Sequence, residues 1–157
     1  CNGKTIEKQK PDKMTIRLIL LLMMAGLFGC SAGPKPIGYG KEECAFCKMT
    51  IMDKQFGCQV VNTKGKHFNF DDLSCLVGYL DTDIISPENI GAIYVPDYTG
   101  IHELMPGANM HFVESGMLHS PMAGNVAAFA SKDSAQKYAG SLPGKLVTWE
   151  NIIKKNE

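Results

Sequence analysis

Arg17 is followed by an uncharged apolar run, Leu18-Ile19-Leu20-Leu21-Leu22-Met23-Met24-Ala25-Gly26-Leu27-Phe28-Gly29, that ends at Cys30. This run decides how much of the chain is left to build a fold. A bilayer-spanning helix needs about 20 apolar residues, and the run falls short of that. No polar face accompanies it, so it does not read as an amphipathic core helix either. With basic residues before it, it has the n-region and h-region of a secretory signal. Upstream, Cys1 to Lys13 is polar, carries Lys4, Lys8, Lys10 and Lys13, shows no apolar periodicity and reads as disordered. Cys1 stands where a translated chain would carry methionine, so a longer precursor is expected.

Leu27-Phe28-Gly29-Cys30 resembles the lipobox, at which a signal peptidase cuts before a lipidated cysteine. The expected organisation is therefore an upstream tail and lipoprotein signal over 1–29, a lipidated Gly- and Pro-rich tether over 30–40 with the acyl chains on Cys30, and a folded domain over 41–157. Each buried acyl methylene contributes about 0.8 kcal/mol, so several chains anchor firmly. The folded part is expected outside the cytoplasm, tethered to a membrane, where disulfides are permitted.

Sixteen Lys plus Arg balance sixteen Asp plus Glu, which leaves no electrostatic footprint for nucleic acid. The unusual element is sulfur, with six Cys and nine Met in 157 residues. Short β-favouring runs, 56–63 and 67–70, flank the turn signal Lys64-Gly65-Lys66. Asp71-Asp72 then caps a segment with Leu73, Leu76, Val77 and Leu80 at helical spacing. Further strands are expected over 92–96, 109–114, 126–130 and 145–148. Loops are expected over 100–107 and 116–124, a helix from the Ser131 cap to about 139, and a short helix over 149–155. The class is α+β, with two small units of short antiparallel strands and a helix, about 41–90 and 91–157.

Cys44-Ala45-Phe46-Cys47-Lys48-Met49-Thr50-Ile51-Met52 packs four sulfurs ahead of the first strand. Two thiolates from a CxxC turn converge on one ion, and the thioethers of Met49 and Met52 add neutral soft donors. That set suits Cu(I), which accepts two or three soft ligands. Two rival readings use the same residues. Cys58 and Cys75 could complete a four-cysteine zinc site that stabilises an interaction module, although their separations do not make a second CxxC. The CxxC could instead be a thiol-disulfide redox pair, although Met-x-x-Met has no part in that chemistry. A structural role for Cys58 and Cys75, as core residues or a disulfide, is the favoured reading. Met117-Leu118-His119-Ser120-Pro121-Met122 is the second candidate loop, with His119 and Met122 as ligands. No Ser, His and Asp arrangement, phosphate-binding glycine loop or paired-carboxylate motif is present, so no enzyme is expected.

The stretch Cys44 to Asp53 resembles the NosL family of lipoprotein copper chaperones, and the likeness continues through Phe68-Asn69-Phe70-Asp71-Asp72, Ser120-Pro121-Met122 and Ala127-Ala128-Phe129-Ala130. The resemblance implies Cu(I) binding, a pair of α+β units similar to part of organomercurial lyase, and delivery of copper to nitrous oxide reductase or its assembly machinery. It maps the family's cysteine and methionine onto Cys47 and Met49, a further cysteine onto Cys44, and the methionine after proline onto Met122. Lys48 and Ala123 stand where the family often has glycine.

Overall fold

The turn at Lys64 and Gly65 builds the first sheet. Gly65 takes φ +78, and the Asn62 side-chain oxygen accepts from the backbone N–H groups of Lys64 and Lys66. This turn joins β1 (Cys58–Asn62) to β2 (His67–Phe70), which pair antiparallel with Cys58 opposite Phe70 and Val61 opposite His67. The structure, a computed structural model, describes residues 33–82 and 84–154. The signal segment, Cys30 and the first tether residues lie outside them.

Asp71 and Asp72 end β2, and Asp72 is the N-cap of α1 (Leu73–Leu80), accepting from the backbone N–H of Cys75. A capping carboxylate satisfies a helix N–H that has no partner within the helix. The strand β3 (Ile90–Pro96) returns beside β1, and β4 (Leu104–Pro106) pairs with its second half, giving the order β2-β1-β3-β4. The second sheet, ordered β6-β5-β7, consists of β5 (His111–Glu114), β6 (Val126–Phe129) and β7 (Lys145–Val147). Helix α2 (Lys132–Ser141), capped by Ser131, connects β6 to β7, and α3 (Trp149–Lys154) follows.

The α+β class and the antiparallel pairing are as expected. Two details differ. The span 100–107 contains β4, whose residues Leu104, Met105 and Pro106 are too few to show alternation. The sheets also divide between Pro106 and His111, not at 90/91, because β3 pairs with β1 and so belongs to the first sheet. The main apolar cluster draws on both sheets, joining Val60, Phe70, Leu76 and Val95 to Phe112, Ala128 and Ile152. Burying a side chain the size of Phe70 or Leu76 stabilises by about 1.5–3 kcal/mol. A smaller cluster around Phe56, Phe129 and Ala135 lies under Tyr98 and Tyr138. No helix among the described residues is long and apolar enough to cross a membrane.

Candidate metal centre

The CxxC segment is a closed turn held at both ends. The Cys44 N–H donates to the Met49 carbonyl at 2.8 Å, Lys48 N–H returns to the Cys44 carbonyl at 3.1 Å, and Glu43 bridges Thr50. Lys48 takes φ +64 to make this closure. Left-handed backbone costs an L-residue about 1–2 kcal/mol, which is the physical reason a glycine would be at home there. Ala45 N–H ties the turn to β2 through the Asn69 carbonyl at 2.7 Å. The Phe46 ring lies over α1 at Gly78, where a Cβ would come within 2.9 Å of it. The turn is thus fastened to the strand and the helix that meet at Asp72.

That fastening brings in a third sulfur. The thiols of Cys44, Cys47 and Cys75 all lie within 4.8 Å of one another. Cys44 and Cys75 are buried and Cys47 is partly exposed. Cys75 is a buried core residue, as expected, and it also stands at the first turn of α1 with its sulfur among the CxxC sulfurs. Neither Cys58 nor Cys75 forms a disulfide. Cys58 is fully buried and outside the cluster, so the four-cysteine set is not assembled. The missed signal was positional. A cysteine three residues after a capping aspartate sits in the first turn of the helix that the cap starts, on the side where that helix meets the CxxC turn.

The cluster's charge is shared unequally. The Cys75 thiol donates to Cys44 and pulls the Cys44 thiol down to about 5, against the effect of burial; backbone N–H groups of Cys47, Asp71 and Phe46 add to it. The same hydrogen bond, followed by burial, pushes Cys75 far up. Burial raises Cys47, although the Met49 N–H works the other way. Burial, then the neighbouring Asp72 and Cys44, raises Asp71, whose Oδ1 is buried without a hydrogen-bond partner.

The remaining expected ligands are exposed. Met49 and Met52 are 56% and 68% exposed, His119 is exposed with φ +49, and Met122 is 37% exposed. The backbone around Met122 is nonetheless held. Ser120 Oγ and Met122 N–H donate to Asp72 Oδ2 at 2.7 and 3.1 Å, Ser120 N–H donates to Asn125 Oδ1, and Asn125 N–H donates to Ser120 Oγ. Ala123 takes φ +58, the second position where glycine would be at home. Met122 and Asp72 line a cavity of about 240 Å³ with Ser74, Gly124 and Ile152.

Three donors at these separations fit one soft ion. An ion about 2.3 Å from each sulfur, the distance found for zinc thiolates, needs sulfurs roughly 4 Å apart in a plane. Only a small contraction of the cluster is required. The CxxC lies in a turn beside antiparallel strands, not at a helix start after a parallel strand, so its setting is not thioredoxin-like.

A protein-family model described as NosL matches residues 38–156. Among solved structures, the crystal structure of the copper chaperone NosL from Shewanella denitrificans superposes with a TM-score of 0.64 at 19% identity, covering 76% of this chain and 94% of that one. That likeness is one of fold. No curated protein sequence matches the chain.

Proposed function

The chain belongs to the NosL family, and on that premise we propose that it is an extracytoplasmic carrier of Cu(I) that passes its ion on by ligand exchange. The observation that carries this reading is the convergence of Cys44, Cys47 and Cys75 within 4.8 Å. Thiolate donors select soft ions, and a three-sulfur set meets the low coordination number of Cu(I). The copper is cargo. Cys44 and Cys75 hold it from the buried side, while the partly exposed Cys47 is the sulfur an acceptor meets first.

Met122 acts as the further, neutral ligand, and Met49, Met52 and His119 offer docking donors for an ion arriving or leaving. Neutral thioethers bind copper without adding charge, so an incoming sulfur or imidazole replaces them at low cost. Cys30 carries the lipid anchor, and the acceptor is nitrous oxide reductase or the machinery that assembles it, as the family resemblance implies. No chemical transformation is assigned to the site. The protein is a carrier.

The test is a titration of the reduced protein with Cu(I) and Zn(II), each against a chelator. Tight binding of one Cu(I) that outcompetes zinc supports the reading. Preferential zinc binding by four sulfurs would restore Cys58 as a ligand and overturn it.

A further inference from the structure

The two sulfur-bearing loops are joined through one side chain. Asp72 is 1% exposed, and both of its carboxylate oxygens are engaged. Oδ1 accepts the Cys75 N–H at 3.1 Å, and Oδ2 accepts the Ser120 hydroxyl at 2.7 Å and the Met122 N–H at 3.1 Å. A helix cap needs only the first of these bonds. The second pair fixes a loop 48 and 50 residues further along the chain onto the same residue. Gly124 marks how closely that loop sits, since a Cβ there would fall 2.2 Å from Ser74 Oγ.

We propose that Asp72 is a positioning residue for copper, holding the Met122 backbone in fixed register with Cys75 so that the thioether reaches an ion bound by the three thiols. This rests on Met122 being a ligand. Both donors hang from one carboxylate, Cys75 through its own N–H and Met122 through its own N–H, so any shift of one loop is transmitted to the other. The Met122 side chain, more than a third exposed, remains free to turn toward or away from the ion while its backbone stays fixed. Groups that orient a ligand without touching the metal affect affinity through geometry alone.

Asn in place of Asp72 separates this role from capping. Asparagine caps a helix as well as aspartate does, but its single acceptor oxygen cannot serve both Cys75 and the Met122 loop. The experiment is a double-mutant cycle on the purified, reduced protein, using Asp72→Asn, Met122→Leu and the double variant, with Cu(I) affinity read by chelator competition and thioether ligation read by X-ray absorption. Asp72→Asn is expected to weaken Cu(I) binding by up to about tenfold, no more than Met122→Leu itself, with loss of the thioether signal, and to add nothing once Met122 is Leu. An equal loss in both backgrounds, or no loss in either, overturns the proposal.

An unchanged affinity for Met122→Leu alone would instead remove Met122 from the site. That failure is told apart by the wild-type titration, which leaves the thiol cluster standing. Ser120→Ala guards against misfolding of Asp72→Asn, because it removes one donor to Oδ2 and leaves the cap intact. Its smaller loss must likewise vanish in the Met122→Leu background.

Discussion

The cysteine turn and the methionine loop meet at Asp72 but are built on opposite terms. Around Cys44 two of the three donors are buried, and the backbone is tied to strand and helix. Around Met122 the backbone is equally tied, yet the donor itself stands at the surface. The difference separates two demands on a carrier. On the proposed reading, the buried thiols of Cys44 and Cys75 retain the ion, and the partly exposed Cys47 and Met122 give the next protein a way in.

The largest expected effect breaks the buried side. Cys75→Ser should reduce Cu(I) affinity by more than the roughly 10- to 100-fold that follows loss of a group that only orients a ligand, checked by chelator competition. Cys58→Ser should leave affinity unchanged, since Cys58 lies outside the cluster. On the exposed side, Met122→Leu should cost about tenfold, with a stability change under about 1.5 kcal/mol because volume is conserved. Equal losses for Cys75→Ser and Met122→Leu would dissolve the contrast.

A pH titration sharpens it further. Cys44 is lowered in the folded protein from 9.0 to about 5, so its contribution to stability is fully present above the unfolded value and is lost as pH falls through about 5. Cys75 is raised, so its contribution is present below 9 and is lost at more alkaline pH. The metal-free protein should therefore lose thermal stability between pH 7 and 5, together with its thiolate ultraviolet absorbance. Removing the hydrogen-bond donor altogether in Cys75→Ala should shift that loss to higher pH. Smallest is the effect of Lys48→Gly. Relief of left-handed strain against the added entropy of glycine leaves a net gain of about 0.5 kcal/mol, read as a rise in Tm.

The elements that were legible beforehand carried local signals. Lys64-Gly65-Lys66 announced the β1–β2 hairpin, and Asp72 and Ser131 announced the starts of α1 and α2. The strand β4 was not legible because three residues cannot display a period. The placement of β3 was hidden for a different reason: pairing with β1 is a long-range choice that no local pattern encodes. The site divides in the same way. Cys44 and Cys47 declared themselves by spacing, whereas Cys75 joins them only because the hairpin folds its helix back onto the turn. Glycine expected at Lys48 and Ala123 finds its explanation in their positive φ values.

The central claim is that copper sits on Cys44, Cys47 and Cys75. X-ray absorption of the Cu(I)-loaded wild type beside Cys75→Ser tests it most directly. Three copper–thiolate distances of about 2.3 Å in the wild type, beside the Met122 thioether, falling to two thiolates in Cys75→Ser, are the predicted result. An identical sulfur shell in the two proteins would contradict it.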